Sequence, residues 1–306
     1  MSTPTPRTIA EYLEQLRVAL RDADPALVQD VLYDAEEHLR GEMHESPGKS
    51  EAEVLAKVAG SYGAPEEVAE IYVDKEVKVQ EALRAPPQRQ RTTALGRFFA
   101  VGSDPRAYAA LFYMLLSLGT GIVYFVLTVV GVSLSLGLAI LVFGIVIAIV
   151  FLGTVRVLAL VEGRIVEVML GERMPRRPIY AQRNMPLKTR IKEMFTDPRT
   201  WSTLLYFVMM LPLGIIYFTI AVTGTVLSLA CITAPIAHIG WMLGIVRIDW
   251  ATDIHFNDSL AMPPIITDPL VFIFGIAVLF GVLHLARGIG RFQGALAKNL
   301  LVKSNG

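Results

Sequence analysis

The chain has 306 residues, of which 53% are hydrophobic and only 18% charged, and its mean hydropathy is +0.50. Soluble domains are roughly a quarter charged, so a soluble globular protein is excluded. The formal net charge of zero conceals two opposed parts: residues 1–85 hold 18 acids and 9 bases, and the remainder holds 10 acids and 19 bases.

The acidic part reads as four short amphipathic helices. Ile9, Tyr12, Leu13 and Leu16 recur at helical spacing, and Asp24 with Pro25 supplies an N-cap and first-turn proline for a second stripe of Val28, Val31, Leu32, Ala35 and Leu39. Ser50 and Glu53 form a capping box ahead of Val54, Leu55 and Val58. Gly60 and Gly63 stop that helix, and Pro65, Glu66 and Glu67 open a fourth carrying Val68, Ile71 and Tyr72. The first helix, with Arg7, Glu11, Glu14 and Arg17, lacks the apolar core of a signal peptide, so export of this head is not expected. The paired Pro86 and Pro87 cannot continue a helix, which places a linker at 86–99.

The runs Tyr12-Leu13-Glu14-Gln15-Leu16, Val31-Leu32-Tyr33-Asp34-Ala35-Glu36-Glu37-His38-Leu39 and Tyr62-Gly63-Ala64-Pro65-Glu66-Glu67-Val68-Ala69 resemble the HAAS signalling domain. That small helical domain occurs on bacterial membrane proteins, often encoded beside PadR-like transcription regulators. The resemblance therefore implies a PadR-like regulator or another cytoplasmic signalling protein as partner. Asp34, Glu36, Glu37 and His38 are the candidate partner-binding residues. Asp34 and His38, at i and i+4, share a helix face and could pair or, with Glu37, hold a metal; ordinary solvation is the competing reading, and no metal is assigned.

Beyond the linker, no Asp, Glu, Lys or Arg occurs at 107–155, 200–246 or 269–286. A spanning helix needs only about 20 such residues. The body is internally repeated. An offset of 93 aligns Asp104-Pro105-Arg106 with Asp197-Pro198-Arg199, Tyr113 with Tyr206 and Gly121 with Gly214, and 15 of 33 positions from 104 to 136 are identical. An offset of 131 aligns Phe143-Gly144-Ile145 with Phe274-Gly275-Ile276, Arg156 with Arg287 and Gly163 with Gly294. The difference is an insertion in the second copy, so each copy contributes one helical hairpin.

The expected fold is all-α: a small cytoplasmic helical domain (1–85), then a four-helix transmembrane domain (100–302) with hairpins at about 107–160 and 200–290 and an extracytoplasmic insertion at about 231–268. Bases cluster before the first span, between residues 161 and 200 and after the last, so the positive-inside rule favours four spans with both termini cytoplasmic in the inner membrane. The segment 235–246, with Pro235, His238, Gly240 and Trp241, is then an extension of the third helix or an interfacial helix outside.

The segments Asp197-Pro198-Arg199-Thr200-Trp201, Leu211-Pro212-Leu213-Gly214-Ile215-Ile216-Tyr217-Phe218, Leu160-Val161-Glu162-Gly163-Arg164 and His284-Leu285-Ala286-Arg287-Gly288 are similar to the Putative sensor domain that many bacteria attach to histidine kinases. No kinase or DNA-binding module accompanies it here, and the head stands in that place. Direct nucleic-acid binding is not expected.

Among single residues, Arg156 and Arg287 occupy equivalent positions, as do Glu162 and Gln293. The arginines either snorkel to lipid headgroups or meet Glu162 across the hairpins. His284 reads as a packing or interfacial residue. The basic run from Arg173 to Lys192 is a topology signal that touches anionic lipid and could also hold the acidic head. In the insertion, Trp241, Arg247, Asp249, Trp250, Asp253 and His255 are the candidate ligand-sensing residues. Cys231 is alone, which excludes an intrachain disulfide and a multi-thiolate metal site. Nucleophile-elbow, phosphate-loop and zinc-protease motifs are absent, so neither enzyme chemistry nor a cofactor is expected. The favoured reading is a membrane sensor relaying an envelope condition or hydrophobic ligand through its head, with membrane lipids and a second copy of the chain as further partners. A lipid or small-molecule transporter component is the alternative.

Overall fold

The computed structural model describes residues 5–83, 93–138, 142–177, 195–244 and 264–302. Among these, every regular element is helical. The head comprises α1 (Ile9–Ala19), α2 (Pro25–Glu45), α3 (Glu51–Ser61) and α4 (Pro65–Leu83). The expected caps form. Thr8 accepts from the Glu11 amide, Asp24 from Ala26, and Ser50 with Glu53 closes a reciprocal capping box. The apolar stripes of α1 and α2 meet Val54, Leu55 and Val58 of α3 and Val68 and Ala69 of α4 in one core. Tyr12 is buried there and donates its hydroxyl to the Gly63 carbonyl at 2.9 Å. Gly63 has φ +110°, a backbone that L side chains rarely adopt, and this lets α3 turn into α4.

A short α5 (Ala94–Ala100) follows, capped by Thr93 and continued by one 3-10 turn. It occupies the end of the segment read as linker. The Thr93 cap and two aromatic residues explain it: Phe98 stacks on His284, and Phe99 meets Phe280 edge-on. Four long helices complete the chain, α6 (Pro105–Gly137), α7 (Val142–Leu170), α8 (Pro198–Met242) and α9 (Pro264–Leu301). All four are long and apolar enough to cross a membrane. The 45-residue α8 extends about 68 Å at 1.5 Å per residue. It continues through Pro235 to Met242, so that part of the ambiguous segment is a helix extension.

The chain forms two compact units. The first contains Met1–Arg89, Thr128–Tyr206 and Gly294–Gly306, and so joins the head to the end of α6, all of α7, the start of α8 and the end of α9. The second contains Gln90–Leu127 and Phe207–Gln293. Within the second, α6 and α8 cross at glycines. A Cβ on Gly121 would lie 2.5 Å from the Met210 carbonyl oxygen, and one on Gly214 would strike the Ser117 carbonyl. Small residues at such a crossing let the backbones touch, as is general for helices in lipid.

Candidate functional site

In the first unit, α2 lies against the segment that leaves α7. Gly171, at φ +77°, follows the end of α7, and residues 171–175 continue as irregular chain. Met174 is buried and fills the niche left by Gly163, which anchors that chain. Its arginines then reach the head.

Arg173 is the centre of the contact, with a side chain only 11% exposed. Its Nη2 donates to Asp30 Oδ2 at 2.8 Å and its Nε to Glu76 Oε1 at 2.9 Å, while Nη1 lies 3.5 Å from Glu167 Oε1. The other carboxylate oxygen of Asp30 accepts the backbone amides of Arg176 and Arg177, at 2.7 and 2.8 Å. Successive amides converging on one oxygen make an anion cradle. Burial pushes the Asp30 carboxyl above its ordinary value, and the two amides and the Arg173 guanidinium oppose that push. Around this centre, Arg177 pairs with Asp34 at 2.9 Å and covers the Tyr33 ring. Gln29 accepts from Arg199 at 2.7 Å, and Lys298 donates to Asp24 at 2.6 Å. The head is thus tied to the end of α7, the start of α8 and the end of α9.

The four expected partner-binding residues have different surroundings. Asp34 is engaged with Arg177 and does not pair with His38, whose ring stacks on Tyr62. Glu36 is buried and holds Arg40 at 2.6 Å. Glu37 and His38 are exposed. Among the described residues no group of three or more acids, histidines or cysteines could hold a metal. The sequence reading missed Asp30, Glu76 and Gln29. The available signal was an acid placed on the apolar stripe of α2, between Leu27 and Val31.

The repeated residues pair across the hairpins, with different partners from the one expected. Arg156 of the first hairpin lies 3.7 Å from Asp197 of the second, and Arg287 of the second lies 3.4 Å from Asp104 of the first. The two aspartates are themselves equivalent under the 93-residue offset, so one contact is built twice. Glu162 is fully buried and accepts the Tyr206 hydroxyl at 2.9 Å. Its counterpart Gln293 accepts from Tyr217 at 3.0 Å. His284 Nε2 lies 3.0 Å from the Phe98 carbonyl oxygen.

Trp241 is about half exposed near the end of α8, beside His238, whose Nδ1 lies 2.6 Å from Asp268 Oδ2. Arg247, Asp249, Trp250, Asp253 and His255 fall outside the described residues, as do positions 178–192 of the basic run.

Residues 11–71 match the HAAS family and residues 113–301 match the family described as Putative sensor. Searches of curated proteins and of solved structures give no match. The two domains and the four apolar helices fit a multi-pass membrane protein with a sensing or signalling role. With nearly two thirds of its length matched, the chain belongs to the Putative sensor family and carries a HAAS domain at its head.

Proposed function

We propose that the protein senses a condition of the bacterial cytoplasmic membrane or envelope and relays it by changing how its head is seated. The observation that carries this reading is the Arg173 cluster, which ties α2 to three ends of the membrane helices. A shift of α7 against α8 would move Arg173 and Arg199 apart and loosen α2 as a unit. The head would then offer its acidic face to a cytoplasmic partner, for which a PadR-like regulator is the leading candidate. Both termini lie in the cytoplasm in this scheme, the insertion outside detects the stimulus, and the protein performs no catalysis.

Locking the seat tests the relay. The sole native cysteine is Cys231, so Asp34→Cys with Arg177→Cys in a Cys231→Ala chain gives one bridgeable pair. A short bismaleimide added to membranes should join α2 to the 171–177 segment. Locked cells should lose their transcriptional response to envelope stress while unbridged cells of the same strain keep it. An identical response from locked and unlocked protein would remove head movement from the function.

A further inference from the structure

Beneath α2, a partly open pocket of about 320 Å³ is lined by the head, α7, the start of α8 and Leu301. Arginines from three helices line it: Arg40, Arg156 and Arg199. Their carboxylate neighbours are unevenly placed. Arg40 is neutralised by Glu36. Arg156 and Arg199 share the neighbourhood of one carboxylate, Asp197, which is 3.7 Å from Arg156 and already accepts the Arg199 backbone amide. The Arg199 side chain is held by Gln29, an uncharged acceptor. Among the described residues, Arg156 Nε and the buried Thr200 hydroxyl have no hydrogen-bond partner.

Two arginines beside one nearby carboxylate, with an unpartnered Nε and an unpartnered buried hydroxyl on the wall of the same pocket, favour an acceptor that fills it. We infer that this pocket binds a phosphate group, with Arg156 and Arg199 as its cationic jaws and Thr200 as a neutral donor. Guanidinium groups match the paired oxygens of a phosphate, which a single-point cation cannot do.

The remaining walls say what carries the phosphate. Val155, Val157 and Leu160 are apolar, and Val157 is 60% exposed on a helix long enough to span the membrane. That is a route by which an acyl chain leaves along α7, so a phospholipid headgroup is the natural ligand. The volume suits a headgroup and its first carbons, being at the lower end of small-ligand pockets. Exposed Glu37 also lines the pocket. Its carboxylate repels a second negative charge, which favours one phosphodiester over a polyanion.

The site requires the head to be seated as described, but it does not require the head to move, so its test is separate from that of the relay. The full chain is purified into nanodiscs of phosphatidylcholine with phosphatidylglycerol, and retained lipid is measured by native mass spectrometry. Wild-type protein should hold one phosphatidylglycerol. Arg156→Gln with Thr200→Val should weaken retention about tenfold or more, the effect of removing hydrogen bonds to a charged group. Bismaleimide joining of positions 34 and 177 should be unchanged in that variant, showing that the head is still seated. Millimolar inorganic phosphate added alone identifies the source: displacement of the lipid confirms a common phosphate site, and phosphate binding without lipid binding keeps the site and assigns it a soluble ligand. Equal retention by wild type and variant, with no phosphate binding to either, would overturn the inference. So would retention of diacylglycerol, which has no phosphate, as strongly as phosphatidylglycerol.

Discussion

Asp30 and Arg173 are unequal partners. Burial pushes the Asp30 carboxyl upward, against the pull of two amides and one guanidinium. The seated head therefore holds a proton on Asp30 more readily than the free head does. With the folded value raised, Asp30's contribution is fully present below its ordinary pKa and is lost as pH rises through the raised value, so mild acid does not unseat the head through this residue. Asp30→Asn should accordingly keep the seat and remove that part of its pH dependence. Arg173→Met should release it, because Asp30, Glu76 and Glu167 would lose their shared cation; stripping one partner from a buried ion pair costs about 3 kcal/mol. Bismaleimide yield between positions 34 and 177, followed from pH 4 to 8, checks both, and a head unseated by Asp30→Asn would refute the asymmetry. This centre was only half legible in the sequence. Helical spacing shows that Asp34 and His38 share a face, but it cannot show that Asp30 meets an arginine 143 positions later. Arg173 sits in a run whose bases have an adequate explanation as a topology signal.

At the scale of elements, the repeat carried more of the answer. The 93-residue offset that pairs Gly121 with Gly214 also pairs Ser117 with Met210, and each glycine faces the other helix at that partner residue. One crossing is thus made of two equivalent halves. Gly119, two residues away, has nothing within 4 Å of a built Cβ. Gly121→Ala and Gly214→Ala should each destabilise the membrane domain by about 1–3 kcal/mol, the usual range for overpacking. Gly119→Ala should be neutral or stabilise α6 by up to about 1 kcal/mol. Unfolding in detergent mixtures, followed by circular dichroism, separates the three, and equal behaviour of Gly119 and Gly121 would show that the crossing does not set stability. The periodic caps of the head were equally legible, because a capping box is complete within four residues. The α5 helix was not, since its anchors Phe280 and His284 come from a distant part of the chain.

For the whole molecule, the number of crossings follows from which helix ends meet the head. Arg199 at the start of α8 bonds Gln29, and Lys298 near the end of α9 bonds Asp24. Both contacts lie at the start of α2 and its N-cap, so the start of α8 and the end of α9 meet the same stretch of the head. The same holds for the end of α7, which delivers Arg173 to Asp30. A fifth crossing within the 47 uncharged residues from 200 to 246 would put Lys298 on the far side and break its bond to Asp24. The continuous α8 leaves no turn there in which to make it. The nine bases between residues 161 and 200 are the reason we propose that this side is the cytoplasmic one. Reporter fusions after Ser46 and after Lys303 should both read cytoplasmic, and one inserted between residues 250 and 260 should read exterior. An exterior signal after Lys303 would contradict the base count and the Lys298–Asp24 bond together, because an odd number of spans cannot bring α9 back to the helix that α8 left.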